Sequence, residues 1–110
     1  MDEMAEVYRS CDVMVVPAGT GLPPVLEPAE LAGTDVKPGS KATPFRAGNT
    51  FLGNMTGLPG LVVPCGFSAG TPTLPIALQI YGRAFDEATV LRVGHAYEQA
   101  TPWHLRKPAL

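Results

Sequence analysis

A chain of 110 residues forms one domain at most, and its formal net charge of −2 excludes the strongly basic surface that is typical of nucleic-acid-binding proteins. Apolar residues make up 45% of the chain, but no apolar run reaches the roughly 18 residues that a membrane-spanning helix requires. Two cysteines, Cys11 and Cys65, are too few for a disulfide framework and lack metal-ligand spacing. We therefore expect a cytoplasmic protein without a metal or cofactor, and with neither a nucleic-acid nor a membrane partner.

The first predicted elements are a helix and a strand. Over residues 2–10 the apolar side chains have the spacing of one helix face, which predicts the last turns of a helix. These side chains are Met4, Val7, Tyr8 and Cys11. A continuous apolar run, Val13–Val16, follows and is closed by Pro17. Such a run is typical of a strand that is buried on both faces, as in parallel sheets.

A long irregular stretch follows, from Pro17 to about Thr50. It is rich in proline and glycine and has no sustained periodicity. A loop of this length is uncommon inside a compact domain unless it is functional or disordered. We therefore expect it to lie across another surface or around a pocket.

The second half of the chain predicts a short helix or turn and then a β-hairpin. The helix or turn lies over Phe51–Met55. The hairpin pairs Leu61–Cys65 with Leu74–Tyr81 in an antiparallel arrangement. Pro75 is tolerated there because it stands at the start of its strand.

A final helix is predicted to begin after Asp86, as its N-cap, and to run to about Ala100 before Pro102. Phe85 and Val90 are placed to form a hydrophobic staple across this N-terminus. A glycine in the buried stripe would allow the helix to approach a sheet closely. The predicted stripe comprises Val90, Val93, Gly94 and Tyr97.

Three strands and two helices cannot cover both faces of a sheet. Only 16% of the residues are charged, against about 25% in typical domains, which indicates a surface that is partly covered. Either the chain dimerises through a bare face, or residues 1–110 are part of a larger domain. The second explanation is the simpler one.

The predicted turn carries a resemblance to a known family. Residues 54–66 read Asn-Met-Thr-Gly-Leu-Pro-Gly-Leu-Val-Val-Pro-Cys-Gly. This string resembles the amidase-signature family, whose C-terminal region reads Asn, two residues, Gly-Leu-Pro, a short strand and then Pro-Cys-Gly. The match continues in the same order along the chain. It includes residues 78–83, 85–87 and 96–101, together with Leu91, Trp103, His104 and Pro108.

The resemblance implies an α/β fold, a partial mixed sheet with flanking helices that forms the C-terminal part of an amidase-signature fold. Residues 1–110 are then an incomplete domain. It also implies hydrolysis of a carboxamide to an acid and ammonia or an amine. Members of the family use a Ser-Ser-Lys set, with backbone N–H groups that stabilise the oxyanion. The glycine- and serine-rich signature that holds both serines has no counterpart in this sequence, so no catalytic residue is assigned and the chain alone is predicted to be inactive.

Two local patterns imitate catalytic sites. Ser40 and Lys41 form the one Ser-Lys neighbour pair, but they lie in the Pro-rich loop without glycine-rich surroundings. Cys65 ends a strand, with His95 and His104 downstream, yet no nucleophile signature surrounds it. We interpret Cys65 as a small buried apolar residue.

The resemblance places four residues near the substrate entrance: Thr20, Leu22, Phe51 and Asn54. Thr20 and Leu22 belong to the loop after the first strand, and Phe51 precedes the asparagine. For Asn54 two roles stay open, a structural role in the turn and contact with the substrate.

The chain is also similar to the A subunits of tRNA-dependent amidotransferases. Those proteins tend to carry an acidic residue seven positions before the asparagine, where it can hold a substrate ammonium. Ala47 stands there in this chain, which favours an amide without a free α-amino group. The adjacent Arg46 either binds an acidic group or is solvated.

Two functions are therefore compared. In the first, the chain is the C-terminal segment of an amidase for a small amide substrate, completed by a missing N-terminal segment. In the alternative, it is a non-catalytic truncated product that binds a partner or itself, for example as a homo-oligomer.

Overall fold

The computed structural model describes residues 2–19, 21–22 and 50–107. Thr20 and most of the predicted long loop, with Ser40, Lys41, Arg46 and Ala47, lie outside the described residues. The described elements follow the predicted order of helix, strand, short helix, hairpin and helix. They are α1 (Asp2–Val7), β1 (Val13–Pro17), α2 (Thr50–Thr56), β2 (Gly60–Phe67), β3 (Pro75–Gly82), α3 (Glu87–Ala100) and a 3-10 turn (Trp103–Leu105). No helix in these ranges is long and apolar enough to span a bilayer.

The three described strands form one sheet with β3 at its centre. The strand order is β1-β3-β2, and β3 pairs antiparallel with both neighbours. Ile80 lies opposite Val15 of β1 and Leu61 of β2. A bulge interrupts β2 between Pro64 and Gly66. The predicted antiparallel hairpin is confirmed.

The expectation that β1 is buried on both faces is wrong. β1 is an edge strand of the described sheet, and Val15 is 54% exposed. A continuous apolar run indicates that both faces of a strand favour apolar surroundings. It does not indicate how many strands or helices the chain provides to cover those faces. The described sheet is antiparallel throughout, and the larger mixed sheet stays a prediction.

The core lies between the sheet and α3. Val63, Ile80 and Val90 form its buried centre. Asp86 caps α3 as predicted, since its carboxylate accepts a hydrogen bond from the Thr89 backbone N–H at 3.3 Å. The predicted helix stripe is also confirmed. Partly buried apolar side chains surround the centre, namely Val13, Leu61, Leu78, Val93 and Tyr97.

Gly94 is buried at the closest approach of α3 to β2. A Cβ atom added there would overlap the Leu61 side chain. The predicted close approach of helix and sheet is therefore confirmed, and its cause is the absence of a side chain at this position.

The predicted hydrophobic staple between Phe85 and Val90 is wrong. The Phe85 side chain is 95% exposed, while Val90 is buried. Phe85 has a left-handed backbone, with φ of 63°, and this conformation turns the ring outward from the start of α3. A hydrophobic staple requires these two side chains to pack against each other.

The Gly-Leu-Pro turn after α2 does not need Asn54 for its backbone geometry. Asn54 lies inside α2 and is exposed. The left-handed residue is Gly57, with φ of 67°, and its N–H donates to the Gly53 carbonyl at 2.8 Å. This glycine is the usual solution at a helix C-terminus, because it adopts positive φ without strain.

Candidate functional site

A hollow of about 580 Å³ opens where β1 ends and β3 begins. The two strand ends meet because β1 and β3 are antiparallel, and the Ala18 N–H extends the pairing by donating to the Ala77 carbonyl at 3.0 Å. Leu22 is half exposed at this hollow. The described lining residues are Ala18, Gly19, Gly21, Leu22, Pro75, Ile76 and Ala77.

The hollow can hold an apolar group but carries no reactive side chain of its own. None of its described lining residues is ionisable or nucleophilic. Its polar groups are backbone N–H and C=O groups, which orient a ligand without exchanging protons with it. In chemical terms, this part of the chain can supply a wall for a substrate and no catalytic group.

The four predicted site residues have different positions in the structure. Leu22 lines the hollow, and Thr20 lies outside the described residues between two glycines that line it. Phe51 and Asn54 both belong to α2, where Asn54 is exposed. No hydrogen bond of the Asn54 side chain is found within the described ranges.

The structure places α2 at the opposite end of β3 from the hollow. The Gly53 N–H donates to the Tyr81 hydroxyl at 3.2 Å, and a Cβ atom on Gly53 would lie 2.8 Å from the Tyr81 ring. Ile76, at the hollow, is five residues from Tyr81, which corresponds to about 17 Å along a strand. The described residues therefore do not bring Leu22 and Asn54 into one pocket.

A polar cluster missed by the sequence interpretation joins α1 to the end of β3. The Arg83 guanidinium donates to the Tyr8 and Cys11 carbonyls at 3.0 and 3.2 Å and approaches the Asp12 carboxylate at 3.1 Å. The ion pair with Asp12 is exposed and therefore contributes little to stability. Arg83 mainly satisfies carbonyl groups at the C-terminal end of α1. In the sequence, Arg83 was noted only as the last residue of the family motif at residues 78–83.

Tyr8 is the buried residue of this cluster. Its hydroxyl has no hydrogen-bond partner in the part of the chain that the structure describes. Burial raises the pKa of Tyr8, and Cys11 and Tyr81 raise it further. Beside it lies a second hollow of about 480 Å³. Its described lining residues are Met4, Ala5, Tyr8, Leu58, Arg83 and Ala84.

The cysteine and histidine residues considered in the sequence analysis do not form a reactive site among the described residues. Cys65 is half-buried at the bulge of β2, while His95 on α3 and His104 in the 3-10 turn are exposed. Within the described ranges no group of three or more His, Cys, Asp or Glu side chains is placed to hold a metal ion.

One face of the sheet is incompletely covered. Gln79 lies in the middle of the face that points away from α3, opposite Val62 of β2. Gln79 is buried, yet its Oε1 has no hydrogen-bond partner among the described residues, and Val62 is 50% exposed. A buried acceptor without a donor costs about 1–3 kcal/mol. Both features favour an additional layer on this face.

Comparison with known proteins found one family and several relatives. The family model described as Amidase matches residues 1–91. The glutamyl-tRNA(Gln) amidotransferase A subunit of Roseiflexus sp. (strain RS-1) is 65% identical over 57 residues, which are 52% of this chain and 11% of that protein. Proteins of the same name from Chloroflexus aggregans and Geobacillus sp. (strain WCH70) are 61% and 58% identical over 57 residues, with the same two shares covered. The matched segment thus spans about a tenth of these relatives, and no solved structure matches the chain.

Proposed function

Because this chain belongs to the Amidase family, we propose that it forms the C-terminal part of an amidase that hydrolyses a carboxamide to an acid and ammonia or an amine. The match over residues 1–91 is the observation that carries the proposal. The relatives support a larger domain, because the segment they share with this chain is 11% of their length. The complete enzyme is proposed to be cytoplasmic and to use no cofactor.

In this role the chain contributes sheet and pocket wall, while another segment supplies the serine nucleophile, the second serine and the lysine. The hollow at Leu22 and Ile76 would receive the apolar substituent of a small amide, since its described lining is apolar and lies where β1 ends and β3 begins. The incompletely covered face at Gln79 and Val62 would pack against the remainder of the domain.

The substrate is proposed to be an amide without a free α-amino group. Ala47 stands where the similar amidotransferase proteins tend to carry an acidic residue, and an alanine cannot pair with an ammonium group. Asn54 is exposed on α2 and is free to contact either the substrate or a neighbouring loop of the complete domain.

Complementation in trans tests this proposal. The Roseiflexus relative with its 57-residue matched segment deleted would be mixed with the 110-residue chain, and ammonia release from aliphatic and aromatic amides would be measured. We expect ammonia from the mixture and from neither component alone. Leu22→Asp should raise KM for an aromatic amide, whereas Leu105→Ala, at an exposed residue that does not line the hollow, should not.

Two results would contradict the proposal. Ammonia release by the isolated chain above a heat-treated control, abolished by Cys65→Ala or Ser40→Ala, would show that the chain has its own nucleophile. Absence of ammonia from the mixture, together with stable self-association of the chain, would favour the non-catalytic binding module.

A further inference from the structure

Phe85 combines two unfavourable features that no described contact offsets. Its ring is 95% exposed, more than any other large apolar side chain of the described ranges. Its backbone is left-handed, with φ of 63°, a conformation in which a bulky residue is strained. An exposed ring contributes no burial that could offset that strain. Burial of this ring against another segment would offset the strain.

The strain cannot relax locally, because both ends of the turn that carries Phe85 are held. Before the turn, the Gly82 N–H donates to the Pro59 carbonyl at 3.0 Å. Across it, the Asp86 N–H donates to the Arg83 carbonyl at 3.1 Å, and Asp86 then caps α3. In a four-residue turn of this kind, positive φ at the third position favours glycine or asparagine.

The two residues that precede Phe85 line an apolar hollow. Ala84, its chain neighbour, and Arg83 line the hollow of about 480 Å³, together with Leu58 and α1 residues Met4 and Ala5. We call Phe85 and this hollow the Phe85 surface. Aromatic side chains are enriched among the residues that anchor interfaces, and this exposed ring follows directly after a residue that lines an apolar recess.

We infer that Phe85 anchors this chain to the remainder of the amidase domain, with the Phe85 surface as the contact. The inference rests on the proposed function. The occupant follows from length: Phe85 lies within residues 1–91 matched by the family, and the segment shared with the relatives is 11% of their chains. A segment embedded in so much additional chain meets that chain first, before a second copy or an unrelated protein.

We expect Phe85→Gly to preserve or raise the stability of the isolated chain but to weaken its binding to the remainder of the domain. In the isolated 110-residue chain, Phe85→Gly should leave Tm unchanged or raise it by about 2–6 °C, because it relieves strain and removes no contact. In binding to the segment-deleted Roseiflexus relative, measured by fluorescence anisotropy, the same substitution should raise Kd by about tenfold or more.

Two further variants separate the ring from the backbone. Phe85→Asn keeps a residue that tolerates positive φ but removes the ring, so it should weaken binding as much as Phe85→Gly. Leu105→Ala removes an exposed apolar side chain outside residues 1–91 and should change Kd by less than about twofold. If the segment-deleted relative does not fold, Tm is compared with and without Phe85→Gly in a fusion that carries this chain in place of the matched segment, where a fall is expected.

Several outcomes would overturn the inference. A fall in Tm of the isolated chain with Phe85→Gly would show that the ring already packs within the chain. Unchanged Kd and full ammonia release by the mixed pair would remove Phe85 as an anchor while the proposed function stands. If Phe85→Gly abolishes self-association of the chain in sedimentation but leaves binding to the segment-deleted relative intact, the Phe85 surface binds a second copy of this chain instead. If the unsubstituted pair shows neither binding nor ammonia release, both proposals are contradicted.

Discussion

The two faces of β3 differ in how this chain packs them. On the α3 side, Val63, Ile80 and Val90 are buried together, and Gly94 lets the helix approach until no Cβ atom would fit. On the other side, Gln79 is buried with an unpaired acceptor among the described residues, and Val62 is half exposed. The first face is closely packed around Ile80, although Val15 of the edge strand β1, on the same face, is 54% exposed. The second face is covered at Tyr81, which is fully buried, but not at Val62.

This difference shows where the chain is self-sufficient. A region whose contacts come from neighbouring segments, here β2, β3 and α3 around Gly94, is packed closely by this chain itself. A face that needs further layers shows its need as unsatisfied polar groups and exposed apolar ones, both of which are uncommon in complete domains.

The largest expected effect is overpacking between α3 and the sheet. Gly94→Leu should lower the free energy of unfolding by about 1–3 kcal/mol, because the new side chain must displace Leu61 and push α3 off the sheet. Thermal or urea unfolding of the isolated chain would measure the change. His95→Leu, at the adjacent exposed position, is the matched control and should change stability by less than about 0.5 kcal/mol. Equal effects of the two substitutions would show that Gly94 does not lie at a close contact between α3 and the sheet.

A smaller effect of opposite sign is expected on the incomplete face. Gln79→Leu should raise the free energy of unfolding of the isolated chain by about 1 kcal/mol, because it replaces a buried, unpaired amide oxygen with an apolar group of similar size. Gln79→Glu keeps the acceptors and adds a charge, so it should destabilise the chain. If Gln79→Leu instead destabilises the chain as strongly as Gly94→Leu, the amide already has a partner and this face is complete.

The smallest effect is expected at high pH. Burial, with Cys11 and Tyr81, raises the folded-state pKa of Tyr8 above its ordinary value of 10.0. The folded chain therefore holds this proton more tightly than the unfolded chain, so its contribution to stability is present below pH 10 and is lost as the pH rises through the folded pKa. Urea unfolding at about pH 8 and about pH 11 should show a fall in stability that is smaller in Tyr8→Phe. An identical fall in both proteins would assign the loss to other groups.

Prediction from the sequence succeeded where a feature depends on residues that are close along the chain. The Asp86 cap, the α3 stripe and the hairpin all follow from local spacing and turn chemistry, and each was confirmed. It failed where the outcome depends on what lies opposite. Nothing local to Phe85 indicated a left-handed backbone, and the apolar run of β1 did not reveal that Val15 would lie on an edge strand.

For the candidate site, the family motif selected the segments but not their relative positions. Leu22 and Asn54 were predicted together, yet the pairing of β1 with β3 carries Leu22 to one end of the sheet, while the contact of Gly53 with Tyr81 holds α2 at the other. The Arg83 cluster was missed because its partners, the Tyr8 and Cys11 carbonyls, are 75 and 72 residues away in sequence.

The amino-acid sequence by itself determined the elements, their caps and the family, because periodicity, turn chemistry and motif order are properties of consecutive residues. The tertiary structure alone decided which parts of the sheet are covered, which apolar side chains stay exposed and which site residues meet. Those outcomes depend on how many segments are available to pack in three dimensions, since the burial of a side chain is decided by its neighbours in space.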